Sequence, residues 1–263
     1  MAFQIKNTEL FLRIISSAIM IIIAALIVGI GGILFEISLM LISIFLVWEI
    51  LGFSDIKIFY RNLLAFAFAI IFAIYIWVDP IFALIILSVF LLFYKFIIKP
   101  NYFNYRAVYL IIILFSLAAM SSSRIDIGLM QTLWIISCVV LSDIGGYLFG
   151  RSIGGPKLWS KISPKKTWSG IIGGWFLAFL ITYLFKYYSE RITYTYLYWS
   201  VFIAISSQVG DLYESALKRS AGIKDSSSLI PGHGGFLDRF DGMIGAFFAI
   251  FLIELFQINY WVY

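Results

Sequence analysis

Two stretches of this sequence concentrate side chains able to do chemistry. The denser one, from Gly210 to Asp241, carries the acids Asp211, Glu214, Asp225, Asp238 and Asp241 among the cations Lys218, Arg219, Lys224 and Arg239. On a helix over 206–219, Asp211, Ser215 and Lys218 stand at i, i+4 and i+7 and share one face, while Glu214 and Lys218 form an i, i+4 pair. Acid, hydroxyl and ammonium then line one stripe. Carboxylates in or beside apolar segments cost free energy unless they are paired or bind metal, and an oxygen-only donor set favours a hard cation such as magnesium. Asp211 and Asp238 are the first-choice ligands. Asp143 and Asp241 are candidates for a second cation or for outer support. The competing reading is that each acid caps a helix or pairs with Arg219 or Arg239, and it weakens as acids accumulate.

Within the same stretch, Pro231-Gly232-His233-Gly234-Gly235 reads as a turn whose glycines let backbone N–H groups approach phosphate oxygens. Asp238 follows where the last helix should begin, at an end whose dipole favours anions. His233 is the only histidine, so a two-histidine metal site within the chain is excluded. It could donate to a phosphate, act as acid or base near neutral pH, or hold the loop by a hydrogen bond. The second stretch contains Ser142-Asp143, Gly145-Gly146 and Ser163-Pro164-Lys165-Lys166-Thr167-Trp168-Ser169-Gly170. Between Arg151 and Ser169 lie five basic residues and no acid, a field suited to a nucleoside triphosphate or an anionic lipid head group.

These residues must be positioned by apolar elements. Of 263 residues, 62% are hydrophobic and 13% charged, against roughly 45–50% and about 25% in soluble domains. A soluble globular protein is excluded. With 26 Phe, 16 Tyr and 8 Trp, so is a disordered chain. The lone Cys138 can form no disulfide within the chain. Apolar runs near Ile14–Ile30, Ile33–Leu51, Asn62–Val78, Ile81–Ile98, Ala107–Ala119, Ile127–Phe149, Gly170–Tyr187, Tyr194–Leu212 and Phe240–Phe256 approach the length that crosses a bilayer. The fold expected is an all-α polytopic integral membrane protein with about nine transmembrane helices. A cytoplasmic N-terminus leaves only Arg124, Lys186 and Arg191 as cations on the opposite face. The basic excess therefore marks the cytoplasmic face, and no nucleic-acid partner is expected. The first run, preceded by Lys6 and Arg13, reads as a retained anchor. Residues 1–263 form one membrane domain in this reading, with helices of unassigned role over 1–125 and the chemistry-bearing half over 126–263. Segments 150–169 and 213–239 flank one transmembrane hairpin and emerge on the same face.

The pattern S-x-x-K-R-x4-K-D-x4-[LI]-P-x-H-G-G-x-x-D-R-x-D, met by Ser215, Lys218, Arg219, Lys224, Asp225, Pro231, His233, Gly234, Gly235, Asp238, Arg239 and Asp241, resembles the phosphatidate cytidylyltransferase (CDP-diglyceride synthase) family. The Ser-Asp, Gly-Tyr-x-x-Gly-Arg and Ser-Pro-Lys-Lys-Thr-Trp stretches resemble it too, so the likeness covers about residues 142–242. Ser169, Ser227 and Gly242 depart from the family pattern, where glutamate, glycine and serine are common. The resemblance implies transfer of CMP from CTP to phosphatidic acid with magnesium as cofactor, in a bacterial cytoplasmic membrane, by a site facing the cytoplasm. It also implies a homodimer. Lys218, Arg219, Lys224, Asp225, His233 and Arg239 would be catalytic, Ser215, Gly234, Gly235, Lys165 and Lys166 would bind substrate, and Asp211 and Asp238 would hold the metal. The alternatives are a CTP-dependent lipid kinase and an ion-coupled transporter, whose sites also collect intramembrane acids.

Overall fold

The computed structural model describes residues 2–54, 56–98, 100–190, 192–230 and 234–256, without the side chains of 2–15 and 100–102. Each apolar run falls on a helix. Among the described residues these are α1 (Ala2–Ile30), α2 (Gly32–Gly52), α3 (Ile58–Trp77), α4 (Pro80–Ile97), α5 (Pro100–Ser122), α6 (Leu129–Ser152), α7 (Trp168–Tyr188), α8 (Thr195–Ser220) and α9 (Leu237–Leu255). Local chemistry sets several ends. Asp79 caps α4 by accepting from the Phe82 N–H at 2.8 Å, with Pro80 in the first turn, where its missing N–H is not needed. α5 loosens into a π-helical turn over Ser123–Ile127, and Gly128, at φ 108°, breaks the chain before α6.

Among the described residues, six helical segments are long and apolar enough to cross a membrane: Gly32–Gly52, Ile58–Trp77, Pro80–Ile97, Phe103–Ile127, Leu129–Ser152 and Trp168–Tyr188. They are the helices of a polytopic membrane protein. α8 and α9 have the length but carry charge: Asp211, Glu214, Lys218 and Arg219 on one, Asp238, Arg239, Asp241 and Glu254 on the other. The helical expectation has one exception. Residues 150–169, read in sequence as a basic connection, fold into an antiparallel hairpin of β1 (Lys157–Trp159) and β2 (Ser163–Thr167).

The chain divides into two compact units. The first comprises Met1–Leu110 with Ser220–Phe240, and the second Ile111–Arg219 with Asp241–Tyr263. In the second, α6 and α7 meet along glycines. A Cβ on Gly145 would lie 2.5 Å from the Gly173 carbonyl oxygen, so the two backbones approach more closely than any side chain allows. Gly210 of α8 does the same for α9, its Cβ position lying 2.6 Å from the Asp241 carbonyl oxygen. These crossings fix the helix ends from which the polar residues project.

Candidate active site

In the second unit, Thr167 ends β2 and caps α7, accepting from the Gly170 N–H at 3.2 Å. The cap holds the cationic hairpin against the acidic end of α8. Lys166 reaches Asp211 there, Nζ to Oδ2 at 2.5 Å, with side-chain exposures of 23% and 28%. Ser215, one turn along α8, donates to Asp211 Oδ1 at 3.3 Å. Lys218 pairs with Glu214 at 2.6 Å, and Glu214 is fully buried. The stripe expected on α8 is therefore present, with Ser215 turned to Asp211 and Lys218 to Glu214. Asp241, half-buried in the first turns of α9, feels the charges of Asp211, Glu214 and Asp143. Four carboxylates thus share one neighbourhood, and their repulsion calls for cations.

A cavity of about 250 Å³ opens beside them, lined among others by Asp143, Tyr147, Lys165, Lys166, Gln208 and Asp211. Lys165 and Asp143 are exposed. Gln208, which the sequence reading passes over, is fixed on three sides. It accepts from Trp175 Nε1 at 3.0 Å and donates to Ser142 Oγ at 3.2 Å and to the Ile171 carbonyl at 3.3 Å. An amide inside an apolar run was its only sequence signal. A cleft bearing both lysines and carboxylates can take a polyanion together with its counter-cation.

The first unit holds the other motif residues. Lys224, Asp225 and Arg239 are exposed. Asp238 is half-buried, and its Oδ2 accepts from the Gly235 N–H at 2.8 Å and from the Ser226 N–H and hydroxyl at 3.0 Å each. Ile230 and Gly234 pair with each other, and Gly234 adopts φ 87°, a value glycine permits. Pro231, Gly232 and His233 lie outside the described residues. Arg219 is exposed at the end of α8, in the second unit.

The candidate ligands are all carboxylate oxygens, which suit a hard divalent ion. Among the described residues no three Asp, Glu, His or Cys side chains gather around one point, and Asp211 is answered by the Lys166 ammonium.

The sequence profile of the cytidylyltransferase family matches residues 11–256. The chain belongs to that family. Proteins named phosphatidate cytidylyltransferase match just under half of the chain. The Bacillus subtilis protein is 44% identical over 126 residues, covering 46% of this chain and 47% of its own length. The Haemophilus influenzae protein is 42% identical over 132 residues, covering 47% and 46%. The Staphylococcus aureus protein is 42% identical over 119 residues, covering 44% and 46%. The chain spans about half the length of the curated relatives it matches. In this cytidylyltransferase-family chain the hairpin and α8, within the second unit, thus bring opposed charges together.

Proposed function

We propose that the protein transfers CMP from CTP to phosphatidic acid, giving CDP-diacylglycerol and pyrophosphate. The observation that carries this reading is the meeting of Lys166 with Asp211 at a cleft, in a chain of the cytidylyltransferase family. A phosphate oxygen of phosphatidic acid forms a bond to the α-phosphorus of CTP. The bond from that phosphorus to the oxygen bridging to the β-phosphate breaks, and the pair of electrons leaves with pyrophosphate. The attacking phosphate is already anionic, so the barrier lies in bringing two anions together, and the chain's contribution is positioning and charge neutralisation. Lys165 and Lys166 bind the polyphosphate, while Lys218, Arg219, Lys224 and Arg239 offset charge on the two substrates.

Magnesium, held by Asp211 with Asp143 or Asp241, would supply further neutralisation of the triphosphate. Asp238, in the first unit, is a ligand candidate by its place in the motif alone. All nine helices span the membrane in this reading, with the N-terminus and the site on the cytoplasmic side of a bacterial inner membrane. Phosphatidic acid then stays in its leaflet while CTP arrives from solution. A homodimer is the assembly that the family resemblance favours.

Purified protein incubated with CTP, phosphatidic acid and magnesium should release pyrophosphate and form the liponucleotide. Label in the α-phosphate of CTP should enter lipid. Entry of terminal label instead would replace this reading by a lipid kinase, and solute uptake into liposomes without CTP consumption by a transporter.

A further inference from the structure

Glu49 stands in the last turn of α2, far in sequence from every motif residue, and has no solvent exposure. Both features work against a carboxylate, because burial removes its hydration and a helix C-terminus repels negative charge. Four donors offset them. Glu49 Oε1 accepts from the Ser227 hydroxyl at 2.5 Å and the Phe236 N–H at 2.8 Å. Oε2 accepts from the Ser226 hydroxyl at 2.8 Å and the Leu237 N–H at 2.6 Å. Arg61, anchored on the Trp48 carbonyl at 2.6 Å, adds an attractive charge.

The four donors come from two places: the residues just after Lys224-Asp225 and the first turn of α9. One carboxylate therefore ties Ser226 and Ser227 to Phe236 and Leu237, within the first unit. Phe236 and Leu237 are the N–H groups that α9 leaves without a helical partner, so Glu49 caps that helix from another element. The space a side chain on Gly235 would fill is taken by the Glu49 carboxylate, 2.8 Å from the Cβ position, and by Ser226 Oγ. Ser226 then passes the constraint on, since its Oγ lies within 3.0 Å of both Glu49 Oε2 and Asp238 Oδ2.

We propose that Glu49 is a positioning residue for the transfer reaction: through Ser226 and the amides of Phe236 and Leu237 it sets the orientation of Asp238 and of the start of α9. The proposal rests on the cytidylyltransferase reading for its catalytic half only. Its structural half is read separately, by hydrogen exchange of the whole protein in detergent micelles without substrate or metal.

In Glu49→Gln one oxygen acceptor becomes an NH2 group facing two donors. Exchange of the peptide carrying Gly235–Leu237 should accelerate about 10- to 100-fold, as expected for losing hydrogen bonds to a charged acceptor. Exchange in α6 and α7 should stay at wild type. Turnover should fall about 10- to 100-fold, as when an outer partner of a working carboxylate is removed, with the KM for CTP unchanged. Ser226→Ala removes one of the four donors to Glu49 and the hydroxyl contact with Asp238, and leaves the Ser226 N–H on Asp238. It should speed exchange at Gly235 more than at Leu237 and lower kcat by less than Glu49→Gln does. Unaltered exchange in Glu49→Gln overturns the proposal. So does acceleration spread equally over α6 and α7, which marks a general stabiliser, or accelerated exchange with wild-type kcat. A wild-type protein that transfers no CMP overturns the proposed function instead, and the exchange comparison still decides whether Glu49 holds the loop.

Discussion

The two units differ in what chiefly answers their carboxylates. In the first, the acceptor oxygens of Glu49 and Asp238 take backbone amides and serine hydroxyls. In the second, Asp211 and Glu214 each take a lysine ammonium group, Asp211 with one long serine hydroxyl contact besides. Neutral donors on a rigid backbone fix direction, because each N–H points one way and cannot be exchanged for another ion. An ammonium on a four-carbon stem fixes charge rather than direction. The first arrangement suits residues that hold a loop in place, the second suits residues that must accept and release charged partners. Burial sharpens the contrast inside the second unit. Lys166 and Asp211 keep about a quarter of their side-chain surface, and such a pair holds together by only about 0–1 kcal/mol. Phosphate or metal can therefore displace one partner from the other at little cost. Lys218 and Glu214, buried together, part only at greater cost.

The largest effect expected from this contrast is at the buried pair. Lys218→Met leaves the Glu214 carboxylate without its ammonium in a dry site, which costs about 3–5 kcal/mol. Unfolding in mixed detergent micelles should show the loss. The double variant Glu214→Gln/Lys218→Met should recover most of it, since both charges are then gone. A Lys218→Met protein as stable as wild type would mean that Glu214 is satisfied from elsewhere, as Glu49 is, and the contrast between the units would fail.

Next in size is the exchangeable pair. Asp211→Asn keeps the shape but gives up the charge that answers Lys166 and that would bind a divalent ion. Turnover should drop about 100-fold or more, the scale of losing one charge-stabilising contact in a transition state. Folding stability should change little, because the pair is part-exposed. Retained turnover at limiting magnesium would remove Asp211 from the proposed ligands.

Much of this was legible in the sequence. The apolar runs marked the helices because a bilayer demands about 20 apolar residues whatever the detail of packing. Asp211, Ser215 and Lys218 could be placed on α8 because helical period is local, and the pairs they form follow from i, i+4 spacing. The hairpin of β1 and β2 was hidden because lysines and prolines carry little strand signal, and its register depends on docking beside α6 and α7. Glu49 was hidden for a different reason. Its partners lie 177 to 188 residues away, and no local pattern reaches that far. Its one signal was energetic: an acid at the end of an apolar run must be satisfied somewhere.

The smallest expected effect separates the two serines that each donate to an aspartate. Ser215 makes a single long bond of 3.3 Å to Asp211, whose other oxygen already holds Lys166. Ser226 makes two contacts to Asp238 and one to Glu49, all at 3.0 Å or less. A hydrogen bond at the weak end of the range contributes about 0.5–1.5 kcal/mol, so Ser215→Ala should lower turnover only several-fold. Its loss should fall short of that in Ser226→Ala, although Ser215 belongs to the family motif and Ser226 does not. Steady-state kinetics of the two variants side by side would check the order. If Ser215→Ala proved the more damaging, Ser215 would be touching substrate rather than Asp211 during turnover, and the ammonium-bound carboxylates would be more tightly oriented than their resting contacts imply.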